Sequence, residues 1–145
     1  MVKPRVPAPH AEFELLTKHD LHDLADRLLV QEAEAIEQCV QFVLAETRGH
    51  WHGRARAMMC RRLKHCALGR THRTLLVATI TDRLATGMFS EQFKDQLRLA
   101  MHLDFEQTAV ACRNITACPR KLYIRRYAEW VLMPERLQFF GPRAQ

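Results

Sequence analysis

The sequence has one serine, Ser90, and one asparagine, Asn114, in 145 residues. A serine nucleophile would have to be Ser90, which stands just before a helical pattern, where a helix N-cap is expected. The five glycines (Gly49, Gly53, Gly69, Gly87, Gly141) are isolated from one another. No glycine-rich loop precedes a helix, which argues against a Walker-type or dinucleotide-type phosphate cradle. No run of about 18 apolar residues occurs, so no membrane span is expected. The first residues, Met1-Val2-Lys3-Pro4-Arg5, are basic, but no apolar segment follows them, so a signal peptide is not expected. The cysteines (Cys39, Cys60, Cys66, Cys112, Cys118) are odd in number. Without a secretory signal they predict reduced thiols in a cytoplasmic protein.

What is present points to a folded chain. Apolar residues make up 48% and charged residues 26%, too apolar for a disordered chain. The length predicts a single domain over residues 11–140. Pro4, Pro7 and Pro9 predict an extended arm over 1–10, and 141–145 form a tail.

The hydrophobic period is helical throughout. Leu21, Leu24, Ala25, Leu28, Ile36, Val40, Val43 and Leu44 recur at three-and-four spacing. Asp20 is the expected N-cap and Gly49 the stop. The pattern leaves open whether 20–47 is one helix or two, broken near Val30–Ala33. A second helix is expected from about Arg54 to His65, stopped by Gly69, and a third from Thr71 to Gly87. Thr74–Thr81 is rich in β-branched residues and would also suit a buried strand, but no partner strand is evident. Ser90 opens a fourth helix. Asp104 with Gln107 three residues later predicts the start of a fifth. Pro119 suits the first turn of a sixth, and Pro134 ends it. Leu137, Phe139 and Phe140 are expected to dock on the core. The reading is all-α: about six helices, as a bundle or as a short solenoid-like array of helical hairpins with a repeat of roughly 30 residues.

Charge is divided along the chain. Glu12–Glu46 holds nine acids and two bases, and Thr47–Thr81 holds eight bases and no acid. Gln107–Ala128 is a second acid-free stretch with five bases. The acidic first helix could lie against the basic second and neutralise it. Arginine outnumbers lysine 17 to five, which favours planar, bidentate contact with carboxylates and phosphates, although a high-GC genome would give the same bias. Helix N-termini ordinarily prefer acids, because the macrodipole is positive there. Here His50, His52, Arg54 and Arg56 open the second helix, Arg70, His72 and Arg73 the third, and Arg120 and Lys121 the sixth. Free N–H groups beside arginines make a natural anion site; long side chains extending into screened solvent would equally account for the pattern.

These observations predict a small non-catalytic binding module that engages an acidic protein surface. Its expected binding residues are Arg54, Arg56, Arg61, Arg62, Arg70, Arg73, Arg120, Lys121 and Arg125. The alternative partner is RNA or DNA, with Trp51, Tyr123 and Tyr127 among the bases as stacking platforms; Tyr123, Tyr127 and Trp130 also stand at the spacing of a helix core. A metal- or thiol-dependent enzyme is the third reading. His19, His22 and Asp26, or Glu46, His50 and His52, would supply three metal ligands, though at no spacing of known mechanics. Cys118, capping the sixth helix beside Arg120 and Lys121, would have a lowered pKa. No cofactor is expected.

Overall fold

The computed structural model describes residues 13–45, 47–89 and 92–140. They form a 3-10 turn (Phe13–Leu15) and eight α-helices. The helices are α1 (Lys18–Leu29), α2 (Ala33–Leu44), α3 (His52–Leu63), α4 (Arg70–Thr86), α5 (Phe93–Leu103), α6 (Phe105–Thr116), α7 (Leu122–Val131) and α8 (Pro134–Phe140). No strand occurs among the described residues, and Thr74–Thr81 lies inside α4. The all-α class holds, with eight helices where about six are expected. The 1–10 arm, the 141–145 tail, Glu46 and the expected cap Ser90 lie outside the described residues.

Several boundaries differ from the sequence expectation, each for a local reason. α1 starts before Asp20. Thr17 is its N-cap, and the Asp20 backbone N–H donates to the Thr17 hydroxyl at 3.2 Å. The Asp20 carboxylate in turn accepts from the Thr17 backbone N–H at 2.9 Å, closing a reciprocal capping box. Residues 20–47 are two helices. Gln31 takes a left-handed backbone, φ 53°. Its N–H donates to the Leu28 carbonyl and that of Glu32 to the Arg27 carbonyl, the two bonds of a Schellman ending. The Arg27 guanidinium grips the Glu32 carboxylate across the break. Gly69 does not stop the second helix. It is the N-cap of α4, and α3 ends earlier, at Leu63. α7 begins at Leu122 behind Lys121, so Pro119 stands upstream of it. Pro134 opens α8, where its missing N–H costs nothing.

Chain length predicts one domain over 11–140; within that span close contacts form two compact units, one up to Leu68 and one from Gly69. In the first, α1, α2 and α3 pack on one another. Leu21, Leu28, Phe42, Met59 and Leu63 are fully buried there. In the second, α4 packs on α5, α6 and α7 around Leu76, Ile80, Leu84, Phe93 and Leu97. α8 buries no residue; Phe140 stacks on Phe105 at 5.4 Å, while Phe139 is exposed.

Candidate functional site

The unit from Gly69 carries a groove between α4 and α6 with a volume of about 940 Å³. Its α4 wall is a single helical stripe: Arg70, Arg73, Thr74, Val77, Ala78, Thr81, Asp82 and Ala85, spaced by three or four residues. Gln107, Val110, Ala111, Asn114 and Ile115 form the matching stripe on α6. Fifteen residue steps at 1.5 Å give a length of about 22 Å. Val110 is 42% exposed, an apolar side chain presented to solvent.

Two arginines set the ends. Arg73 near the start of α4 donates to the Leu103 carbonyl at 2.8 Å, just before α6 begins. Arg120, just after α6, donates to the Ala85 carbonyl at 3.1 Å, near the end of α4. α4 and α6 therefore run in the same direction, and their N-termini share one end of the groove. Gly69 caps α4 without a side-chain bond, and the Asp104 carboxylate caps α6 by accepting the Gln107 N–H at 3.1 Å. Arg70 and Arg73 add full positive charge beside two positive dipole ends. Each of the two carbonyl-bound arginines spends only part of its five-donor fork on that bond.

The nine expected binding residues separate accordingly. Arg70, Arg73 and Arg120 converge on the groove. Arg56 is buried, 6% exposed, and donates to the carbonyl and hydroxyl of Thr47 at 2.9 and 2.7 Å. That burial removes it from any open basic face. Arg62 pairs with Asp26 of α1 at 3.1 Å. Arg54 lies over the Trp51 ring at 4.9 Å. Arg61 and Lys121 are exposed and Arg125 is half-buried; none lines the groove. Sequence reasoning missed Asp82 and Asn114, which nothing in a single chain marks, and also Val110. Its signal was its phase: Ala109, Cys112 and Ile115 are buried, and Val110 falls between their turns.

The aromatic residues of α7 make their contacts within their own unit. Tyr127 packs edge-on against Phe89 and Phe93 at 5.1 and 5.8 Å. Tyr123 donates its hydroxyl to the Gly87 carbonyl at 3.3 Å. Both tryptophans are cation-stacked: Trp130 by Lys94, Arg98 and Arg136, and Trp51 by Lys18 and Arg54.

Metal and thiol chemistry find little geometry. Among the described residues no group of three His, Cys, Asp or Glu side chains is placed to hold a metal ion. His52 is buried with Nε2 3.0 Å from the Leu16 carbonyl oxygen. Cys118 is exposed but does not cap α7, whose N-cap is Lys121. Burial pushes the Cys39 and Cys112 thiols up to about 12, the opposite of nucleophilic activation.

No protein-family model, curated protein or solved structure matches this chain. No described helix is long and apolar enough to cross a membrane.

Proposed function

We propose that this chain is a non-catalytic, cytoplasmic binding module whose α4/α6 groove takes an acidic, amphipathic helix of a partner protein. The observation that carries it is one groove combining an apolar floor with arginines at both ends. Val77, Val110 and Ile115 offer a floor that a sugar–phosphate backbone would not use. Asp82 and Asp104 stand in the same groove and would repel successive phosphates, while a helix with acids at one end can set them against Arg70 and Arg73, away from Asp82. A groove about 22 Å long fits roughly 15 residues of helix. Recognition would then follow the helix-in-groove mode, with anchors at i, i+3 or i+4, and i+7.

The test is selection of 15-residue peptides from a displayed library against the full chain, followed by anisotropy on the labelled peptides. The expected peptides carry an apolar helical face and acids at one end. Val110→Asp, and Arg70→Glu with Arg73→Glu, each lower their affinity about tenfold or more. These positions are exposed, so circular dichroism should not change. Labelled RNA or duplex DNA runs in parallel. Nucleic-acid binding that falls steeply with salt, and that the same variants abolish, would overturn the reading in favour of nucleic acid.

A further inference from the structure

The unit up to Leu68 has a second concavity, unrelated to the groove above. It is a pocket of about 300 Å³ lined by Lys18, Leu21, His22, Trp51, Arg54 and Met58, with Ala55. Among the described residues every titratable group lining it is basic, and no carboxylate lines it. Lys18 Nζ stands 4.1 Å from the centre of the Trp51 ring, and the Arg54 guanidinium carbon 4.9 Å. Among the described residues neither cation forms an ion pair. The Trp130 collar differs on this point, since its Arg98 pairs with Asp95 at 3.4 Å. Trp51 is also held in a left-handed backbone, φ 69°, which bulky residues rarely adopt. Such outliers concentrate at ligand sites, where surrounding structure enforces them.

We infer that this pocket binds a free nucleoside monophosphate, the base stacked on Trp51 and the phosphate held by Lys18 and Arg54. The chemistry is complementary in each part. The indole and the apolar side chains of Leu21 and Met58 suit a flat, weakly polar ring. Two cations that form no ion pair among the described residues suit a dianion, and the Arg54 fork can engage phosphate in bidentate fashion. A base that covers the indole takes the ring face from the two cations, and the phosphate supplies them with a new partner. A volume of 300 Å³ is at the small end for ligand sites and suits one nucleotide rather than a strand.

The test uses the full chain with Trp130→Phe, which leaves Trp51 as the sole indole reporter. AMP should quench its emission saturably. Calorimetry on the unaltered chain should give the same affinity, independent of that substitution. Lys18→Ala and Arg54→Ala should each weaken AMP about tenfold. Adenosine alone and inorganic phosphate alone should each bind at least about tenfold more weakly than AMP. Three results would overturn the inference: no saturable AMP binding up to about 10 mM, inorganic phosphate binding as tightly as AMP, or full AMP affinity in Trp51→Leu. A short oligoadenylate binding over about a hundredfold more tightly than AMP would also overturn it, in favour of a single-strand surface.

Discussion

Two helices in this protein end in the same way with opposite residue choices, and the contrast yields a signed prediction. After α4, Gly87 is left-handed at φ 74°. Its N–H donates to the Leu84 carbonyl and that of Met88 to the Arg83 carbonyl. After α1, Gln31 and Glu32 make the equivalent pair of bonds with Gln31 at φ 53°. A left-handed backbone costs an L-residue roughly 1–2 kcal/mol, and glycine escapes that cost. Glycine in turn leaves the unfolded chain freer, worth about 0.4–1 kcal/mol against it. Gln31→Gly should therefore raise stability by about 0.5–1 kcal/mol. Gly87→Ala incurs the backbone cost and more. A Cβ there would collide with the Tyr123 hydroxyl and stand 3.0 Å from Ile124 Cδ1. Displacing Tyr123 also loses its bond to the Gly87 carbonyl, about 0.5–1 kcal/mol at an exposed site. The net loss should be about 1–3 kcal/mol. Gly69→Ala is the control: its φ is −69° and nothing lies within 4 Å of the added carbon. It should stay within about 0.5 kcal/mol of the parent. Urea unfolding followed by circular dichroism and indole emission reads all three, with Trp51 and Trp130 reporting one unit each. A neutral Gly87→Ala, or a Gln31→Gly that destabilises, would refute the account of both caps.

Two further outcomes concern titration. Cys39 and Cys112, with pKa near 12, hold on the order of one part in ten thousand as thiolate at pH 8. Ellman's reagent on the native chain should react promptly at exposed Cys118, more slowly at half-buried Cys66, and at all five only after denaturation; native labelling of Cys39 or Cys112 at the Cys118 rate would contradict the packing described. Asp20 is held below the ordinary carboxylate range chiefly by the Thr17 backbone N–H, and Glu32 by its bond to Arg27. Both are more acidic folded than unfolded, so their contribution is complete above about pH 4–5 and is lost as pH falls through their lower folded values. The urea midpoint should drop between pH 6 and pH 3, and drop less in Glu32→Gln with Thr17→Ala; an identical drop in that variant would show that other carboxylates govern acid unfolding.

Periodicity reveals helices well and their joints poorly. The Asp104 cap and the Gly87 stop are where the sequence puts them, because each is set by one residue's own chemistry. The break after α1 is not of that kind. It has neither glycine nor proline, and the Arg27–Glu32 grip that secures it joins residues five apart across two helices. The true cap of α1 was written in the chain as Thr17 followed by Asp20 three residues on. It stands ahead of the first apolar position, Leu21, where the period gives no warning. Arg56 shows two signals in conflict. Its charge points outward, but it sits four residues after buried His52 and four before buried Cys60, on the inner face of α3. Packing decides the matter, because Thr47 supplies acceptors for the guanidinium inside. The groove was legible only in pieces. Arg70, Arg73 and Arg120 are marked as misplaced cations at helix starts, yet 47 residues separate Arg73 from Arg120. Only the shared direction of α4 and α6 brings them to one cleft.

Net charge weights the second unit in the same way. Residues 1–68 carry ten bases and nine acids, while 69–145 carry twelve bases and seven acids, so +5 of the net +6 belongs to the second unit. In the first, opposite charges are drawn together: Arg62 meets Asp26, and Arg27 meets Asp23, Glu32 and Glu34. The charge split that dominates the sequence is thus answered in part within the unit that contains it. In the second, Arg73 and Arg120 are bound to backbone carbonyls, which hold a guanidinium in place without cancelling its charge. Fixed arginines that keep their charge lose less side-chain entropy when they meet a carboxylate than arginines that must first be ordered. An acidic partner would therefore gain more from this groove than from Arg62 of α3, whose charge already meets Asp26.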